Sequence, residues 1–441
     1  MLSKIGTKGR VVSIIVASGL LILLAYWLLT PSKLQQKYSL LRAQGLPTNA
    51  AELDKYYAVP AGTNDTTELW TEAAAAVTAA KIEQRAAKLP IVGMGPTPIP
   101  RRGQPWAELE DVRVFLNELN PELTLIRHAA LAGGVARYPE DFSAGMTTSI
   151  ALVQNTRTMA RLLTLSAHVH THDGADRQAF EDVANVFAVS ESMHGSPIVI
   201  SNLVRIAIHA IGCQLALQLL PQASWSDSEL KQLQTAISGG QFRQELLTAF
   251  HGERAICLET ISTTRGVLFR DANQMKIMEL FDTLTDGLKV SWPEAIKSRQ
   301  EMELEVQKIS AGGIITRAKF MTLPLLVPAL GQGLTASMRA EARQNCAIAA
   351  IAAQLYRLQH GTLPLSLADL TEFLPGDESQ KPSWLADPFD GQPLRFKSEE
   401  TRLLIYSIGQ NLVDDGGQIE SEKPTDRDLG YAVEERQGDS G

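Results

Sequence analysis

The sequence predicts a mainly α-helical protein: a single N-terminal transmembrane helix, an irregular α-helical array, and a small C-terminal α+β module with a β-hairpin. Three observations predict it. Residues 11–30, VVSIIVASGLLILLAYWLLT, carry no charge in twenty positions. Residues 107–310 show one helix-period apolar pattern after another between short polar breaks. Residues 385–417 change to turn-rich sequence around two short alternating runs.

The apolar run comes first. At the helical rise, twenty residues span about 30 Å, the thickness of a bilayer's hydrocarbon core. Tyr26 and Trp27 sit near its far end, where amphipathic rings anchor at the headgroups. Pro31 stops the helix. Lys4, Lys8 and Arg10 precede the run, and Lys33, Lys37 and Arg42 follow it. No A-x-A-like cleavage site follows, which favours an uncleaved anchor over a cleaved signal peptide. The expectation is a single-pass inner-membrane protein, with residues 1–10 cytoplasmic and the body facing the periplasm.

Composition narrows the class of the body. Of 441 residues, 44% are apolar and 20% charged, which fits a globular chain and excludes wholesale disorder. The net charge is −8, and much of it is local: nine Asp and Glu follow Leu412, against Lys423, Arg427 and Arg436. No basic nucleic-acid surface is indicated. Cys213, Cys257 and Cys346 are far apart and none forms a CxxC pair, so they read as buried free thiols.

Residues 32–88 read as a helical stalk, with Gly45 just past the end of its first helix. Residues 89–106, with five prolines and three glycines, read as a linker. The α-helical domain then runs over 107–338. Within it, ISNLVRIAIHAIGCQLALQLL (200–220) is apolar on all sides, as for a buried helix. Ser226 with Glu229 forms a capping box that opens a helix at 226–237. Further helices are expected at 241–269, 273–288 and 293–310. The uncharged run 320–338 is long enough for a second span, but Pro324, Pro328, Gly331 and Gly333 make it a buried connection between domains.

The metal-capable residues cluster in HVHTHDGAD. On a helix, His168 and His172 share a face, His170 points away, and Asp173 and Asp176 follow. A metal-dependent hydrolase using His168, His172 and Asp173 is one alternative function. The competing reading is a helix end whose histidines favour the C-terminal dipole, followed by an Asp-Gly turn. His209 reads as a satisfied core histidine. HGER (251–254) supplies His251, Glu253 and Arg254, an acid–base set that reads as an interhelix cluster. No nucleophile elbow, phosphate loop or dinucleotide fingerprint is present, so no catalytic or cofactor-binding residue is assigned.

From 339 the module begins. Ala342, Cys346, Ala349, Ala353 and Tyr356 recur at helical spacing and line one face with small residues. Gly361 ends that helix, and Ser366 with Asp369 caps a short one. Asp387-Pro and Asp390-Gly mark turns, and PLRFK and RLLIYS form a hairpin across SEET.

The helix ending in YRLQHGTLPLSLADL, the turn and strand DPFDGQPLRF, and YSIGQNLVDDGG resemble the C-terminal part of the major, G-type pseudopilins of type II secretion. The resemblance covers 341–417. The whole chain also looks like an uncharacterised bacterial family with an N-terminal anchor, a helical middle and this ending. The pseudopilin resemblance implies a calcium site in the loop after the last strand, held by Asp414 and Asp415, with Asn411 and backbone oxygens beside them. It also raises an accessory role in a type II secretion-like system. It does not reach the N-terminus, where KGRVVSIIV lacks the Phe and Glu of a processed pilin helix. Residues 418–441 read as an acidic, disordered tail. The leading expectation is a membrane-anchored cell-envelope protein that interacts or scaffolds without catalysis, through an envelope protein partner and no nucleic acid.

Overall fold

The structure, a computed structural model, describes residues 32–148, 151–265, 269–320, 323–399, 402–419 and 427–434. The expected anchor at 11–30 and the residues before it lie outside the described residues. Among the described residues are sixteen α-helices, two 3-10 segments and one antiparallel sheet of three strands.

Local chemistry sets most helix limits. Ser32 opens α1 (Lys33–Ala43) with a reciprocal capping box to Gln35. Asn49 caps α2 (Ala50–Tyr57). The strongly helix-forming stretch 68–88 within the expected stalk is broken into α3 (Thr67–Ala79) and the short α4 (Ile82–Arg85), because Lys81 turns left-handed at φ 49°. Trp70, Ala73, Ala74 and Val77 of α3 are buried in the main core, so this stretch belongs to the body. Residues 89–106 differ from the expected free linker in the same way. They are irregular, but Leu89, Val92 and Trp106 are buried in that core.

The array continues with α5 (Leu109–Glu118), α6 (Asn120–Ala132), α7 (Ala151–His172), α8 (Asp176–Glu191) and α9 (Val199–Leu219). Helix α9 is, among the described residues, the one helix long and apolar enough to cross a membrane. Most of it is buried against α7 and α8, which marks it as a core helix. The Ser226–Glu229 box opens α10 (Asp227–Ile237) as expected. Then come α11 (Phe242–Thr263), α12 (Arg270–Val290), α13 (Trp292–Ala311) and α14 (Ile314–Lys319).

Helix α15 (Leu323–His360) spans 38 residues and absorbs the uncharged run at 320–338. Leu330, Leu334 and Met338 are buried in a second core with Phe250 of α11 and Phe281 of α12. The second half passes into the main core, where every residue from Cys346 to Ala353 is fully buried. The boundary expected between 338 and 339 therefore falls inside one continuous helix.

The C-terminal module packs on this helix. A 3-10 segment (Leu367–Phe373) carries the Ser366–Asp369 box, and α16 (Lys381–Trp384) follows. Asp387 is wholly buried and fixes the DPFDG turn to the sheet: it accepts from the Ser407 hydroxyl at 2.8 Å and the Ile408 N–H at 2.9 Å. Strands β1 (Arg395–Ser398) and β2 (Arg402–Ser407) form the expected hairpin, with Phe396 opposite Ile405. The tail expected to be disordered supplies β3 (Leu429–Glu434), paired antiparallel to β2 with Ile405 opposite Tyr431. Its Leu429 and Val433 are buried. A hairpin alone is marginal, and the third strand with helix packing gives it a covered face.

The fully buried Ala350 tests this packing. Ala350→Leu adds three carbons where no surface is free, and overpacking of this kind costs about 1–3 kcal/mol. A lowered urea midpoint is expected, and an unchanged midpoint refutes the close packing of α15.

Candidate functional site

The structure separates the residues that the sequence grouped. His168 is 8% exposed, and burial with the neighbouring His172 charge pushes its pKa down to about 4. His172 Nε2 lies 2.7 Å from the Pro100 carbonyl, and its ring packs on Trp106. Asp173 pairs with Arg113, and Asp176 with Arg102. His170 Nδ1 lies 3.0 Å from Asp182, which also holds Arg127. His170, His172 and Asp173 thus contact three different neighbours: α8, the proline-rich stretch and α5. Among the described residues no group of three or more His, Cys, Asp or Glu is arranged to hold a metal ion.

Asp414 and Asp415 stand together in the loop after β2, but their oxygens serve the turn. Asp414 accepts from the Tyr406 hydroxyl at 3.1 Å and the Gly416 N–H at 2.9 Å. Asp415 accepts from the Asn411 amide at 3.0 Å. Asp428, the residue before β3, is buried and accepts from the backbone N–H groups of Asp415 and Gly417. Burial, then the charges of Asp414 and Asp415, raise its pKa. Sequence reading missed this residue because it sits in the stretch taken for a solvated tail.

The remaining titratable groups are structural. His209 lies between Phe187 and Phe242 with Nε2 2.9 Å from the Ile237 carbonyl, the core histidine that was expected. All three cysteines are free and buried. Arg205, 1% exposed, joins Glu245 of α11 and Glu191 of α8, with His194 Nδ1 3.0 Å from Glu245. In HGER, Glu253 accepts from the Val199 N–H at 3.0 Å and so caps α9, while His251 and Arg254 are buried. Burial pushes His251 down to about 3, and the Arg254 and Lys289 charges add to it.

What the fold does assemble is a cleft of about 1590 Å³. Its floor is α15, which contributes Arg343 and Gln354. One wall is α9, whose exposed Gln214 and Gln218 lie one turn apart on the same side. The proline-rich stretch 97–105 closes one flank, held by the His172–Pro100 contact and by Arg102 on Asp176. The opposite wall is residues 427–433, the strand β3 and its approach.

Two polar groups in this cleft are unspent. Gln354 is 2% exposed, yet its amide makes no hydrogen bond to any described residue. Arg343 is half-buried and makes neither a hydrogen bond nor an ion pair with any described residue. It also borders a second space of about 610 Å³, with Arg299 and Arg339 on the far side. Neither group has a partner among the described residues and both line the cleft, so both are available to a ligand there. Only spatial proximity reveals it: its walls come from segments more than 300 residues apart.

A separate carboxyl gives the molecule a pH response. Burial pushes Glu140 up to about 8, the Glu253 charge adds to this, and the Ser201 hydroxyl opposes it. Its proton is held more tightly in the folded state than at the ordinary value of 4.5. The resulting stabilisation is full below 4.5 and declines by about 1.4 kcal/mol per pH unit up to the folded value. Glu140→Gln removes that slope, so the variant gains stability over the parent as pH rises from 5 to 8. Parallel thermal melts check it, and equal slopes for the two proteins refute the assignment.

No family model, curated protein or solved structure matches this chain, so its reading rests on its own geometry.

Proposed function

We propose that this chain is a membrane-anchored cell-envelope protein that binds a partner protein without catalysing a reaction. Residues 11–30 hold it in the inner membrane, and the helical body with its C-terminal module faces the periplasm. The cleft between α9 and β3 is the docking site. The observation that carries this reading is the pairing of a large open cleft with Arg343 and Gln354, which have no partner among the described residues. Several residues suited to acid–base chemistry support it from the other side: His172, Asp173, Glu253 and His209 each have a structural partner.

An accessory role in a type II secretion-like system is a second reading. It draws on the C-terminal module, in which a helix lined by small residues packs beneath β2 and β3. In that reading the cleft receives another envelope component.

Two measurements on the full chain test the proposal. The uncleaved protein is expected to stay with membranes after alkaline carbonate extraction; its recovery in the soluble fraction removes the anchor. A photocrosslinking residue at Gln218 is expected to give a discrete protein adduct in intact envelopes. The same residue at Leu131, 83% exposed and outside the cleft, is expected to give none. Equal labelling from the two positions sinks the cleft as a docking site.

A further inference from the structure

We infer that the cleft takes an extended, acidic segment of a protein partner, which adds to the outer edge of β3 as a fourth strand. This rests on the docking reading above and gives the occupant its chemistry.

The first support is the wall itself. Seven successive residues, 427–433, line the cleft. A strand that turned one face to a cleft would contribute alternate residues, because side chains alternate sides. An unbroken run means that the cleft follows the edge of the strand. The sheet order β1-β2-β3 places β2 on one edge of β3, so the cleft lies along the other. An edge carries unpaired N–H and C=O groups and is a template for a further strand. Strand addition is a common way of holding a peptide, with the backbone supplying affinity and the alternate side chains supplying specificity.

The second support is charge. Arg343 and Arg427 line the cleft, and among the described residues its one acidic lining residue is Asp428. Both Asp428 oxygens already accept backbone N–H groups. His168 of α7, which also lines the cleft, is held neutral at physiological pH by its burial. Arg343, with no partner among the described residues, leaves a positive charge in the cleft, and a carboxylate entering it meets a half-buried guanidinium, where an ion pair is screened less than at the surface.

The third support is spacing. Arg343 and Gln354 are eleven residues apart, three helical turns, so they share a face of α15 at a separation of about 16 Å. An extended chain covers that distance in about five residues. The stretch 427–433 is about 20 Å long by the same rise. The floor groups and the wall thus fit one peptide of five to seven residues. Its carboxylate pairs with Arg343, and a polar group four to six positions away meets the Gln354 amide. A nucleic acid or anionic lipid would satisfy the arginines but would leave the β3 edge unpaired.

The probe is a fluorescein-labelled, acetylated decapeptide of alternating Val and Glu, titrated into the full chain in detergent and followed by anisotropy. Saturable binding is expected, weakened at least tenfold by Arg343→Gln and at least tenfold when alternate peptide nitrogens are methylated. A Val–Lys decapeptide is expected to bind at least tenfold more weakly. Methylation changes the probe and not the protein, so this arm stands even if Arg343→Gln misfolds. Failure of the Val–Glu peptide to saturate, equal binding of the Val–Lys peptide, or indifference to methylation overturns strand addition. If the Val–Glu peptide fails while the Gln218 adduct persists, strand addition falls and the docking reading stands. If both fail, both fall.

Discussion

The constraint on which the rest depends is the close packing around helix α15. From Cys346 to Ala353 it is buried on every side, with α9 against one part of its surface and strands β2 and β3 against another. A helix enclosed in this way must carry small side chains where its neighbours approach, and here five of the eight residues are alanine. Its first half enters the second core among Phe250, Phe281 and Leu334. One rigid rod thereby joins both cores and the C-terminal module, and no hinge is left where the composition changes.

Several charged groups inside this body are paired. The guanidinium of Arg205 is taken out of water and meets carboxylates from two other helices. Removing both carboxylates would leave the buried guanidinium uncompensated, which costs far more than the pairing contributes. Glu253 is spent on the N-terminus of α9, and Asp387 on the end of β2. Arg343 and Gln354 differ in lining an open cleft without a partner among the described residues. They lie on the same helix as the most tightly packed stretch, so the scaffold holds them rigidly at the bottom of the cleft.

The C-terminal hairpin was legible in detail. PLRFK and RLLIYS alternate over a few residues, and the cap at Ser366 and the glycine at 361 act within one turn of chain. The third strand was not legible. Leu429, Tyr431 and Val433 alternate as a strand should, but acidic neighbours on both sides signal solvent, and pairing with β2 overrides that signal. The candidate metal residues show the opposite failure. HVHTHDGAD is dense in ligands, yet a helix aims successive side chains in different directions, and His170, His172 and Asp173 meet partners on three separate segments.

By itself the sequence determined the helical class, most helix limits, the buried α9, the free thiols and the hairpin, because caps, glycines and apolar periods act through neighbours a few residues away. Tertiary structure alone decided three things: that 89–106 is packed, that α15 runs through the expected boundary, and that β3 completes a sheet whose edge meets α9 across a cleft. These depend on contacts between segments hundreds of residues apart, and no local pattern encodes which distant surfaces will meet.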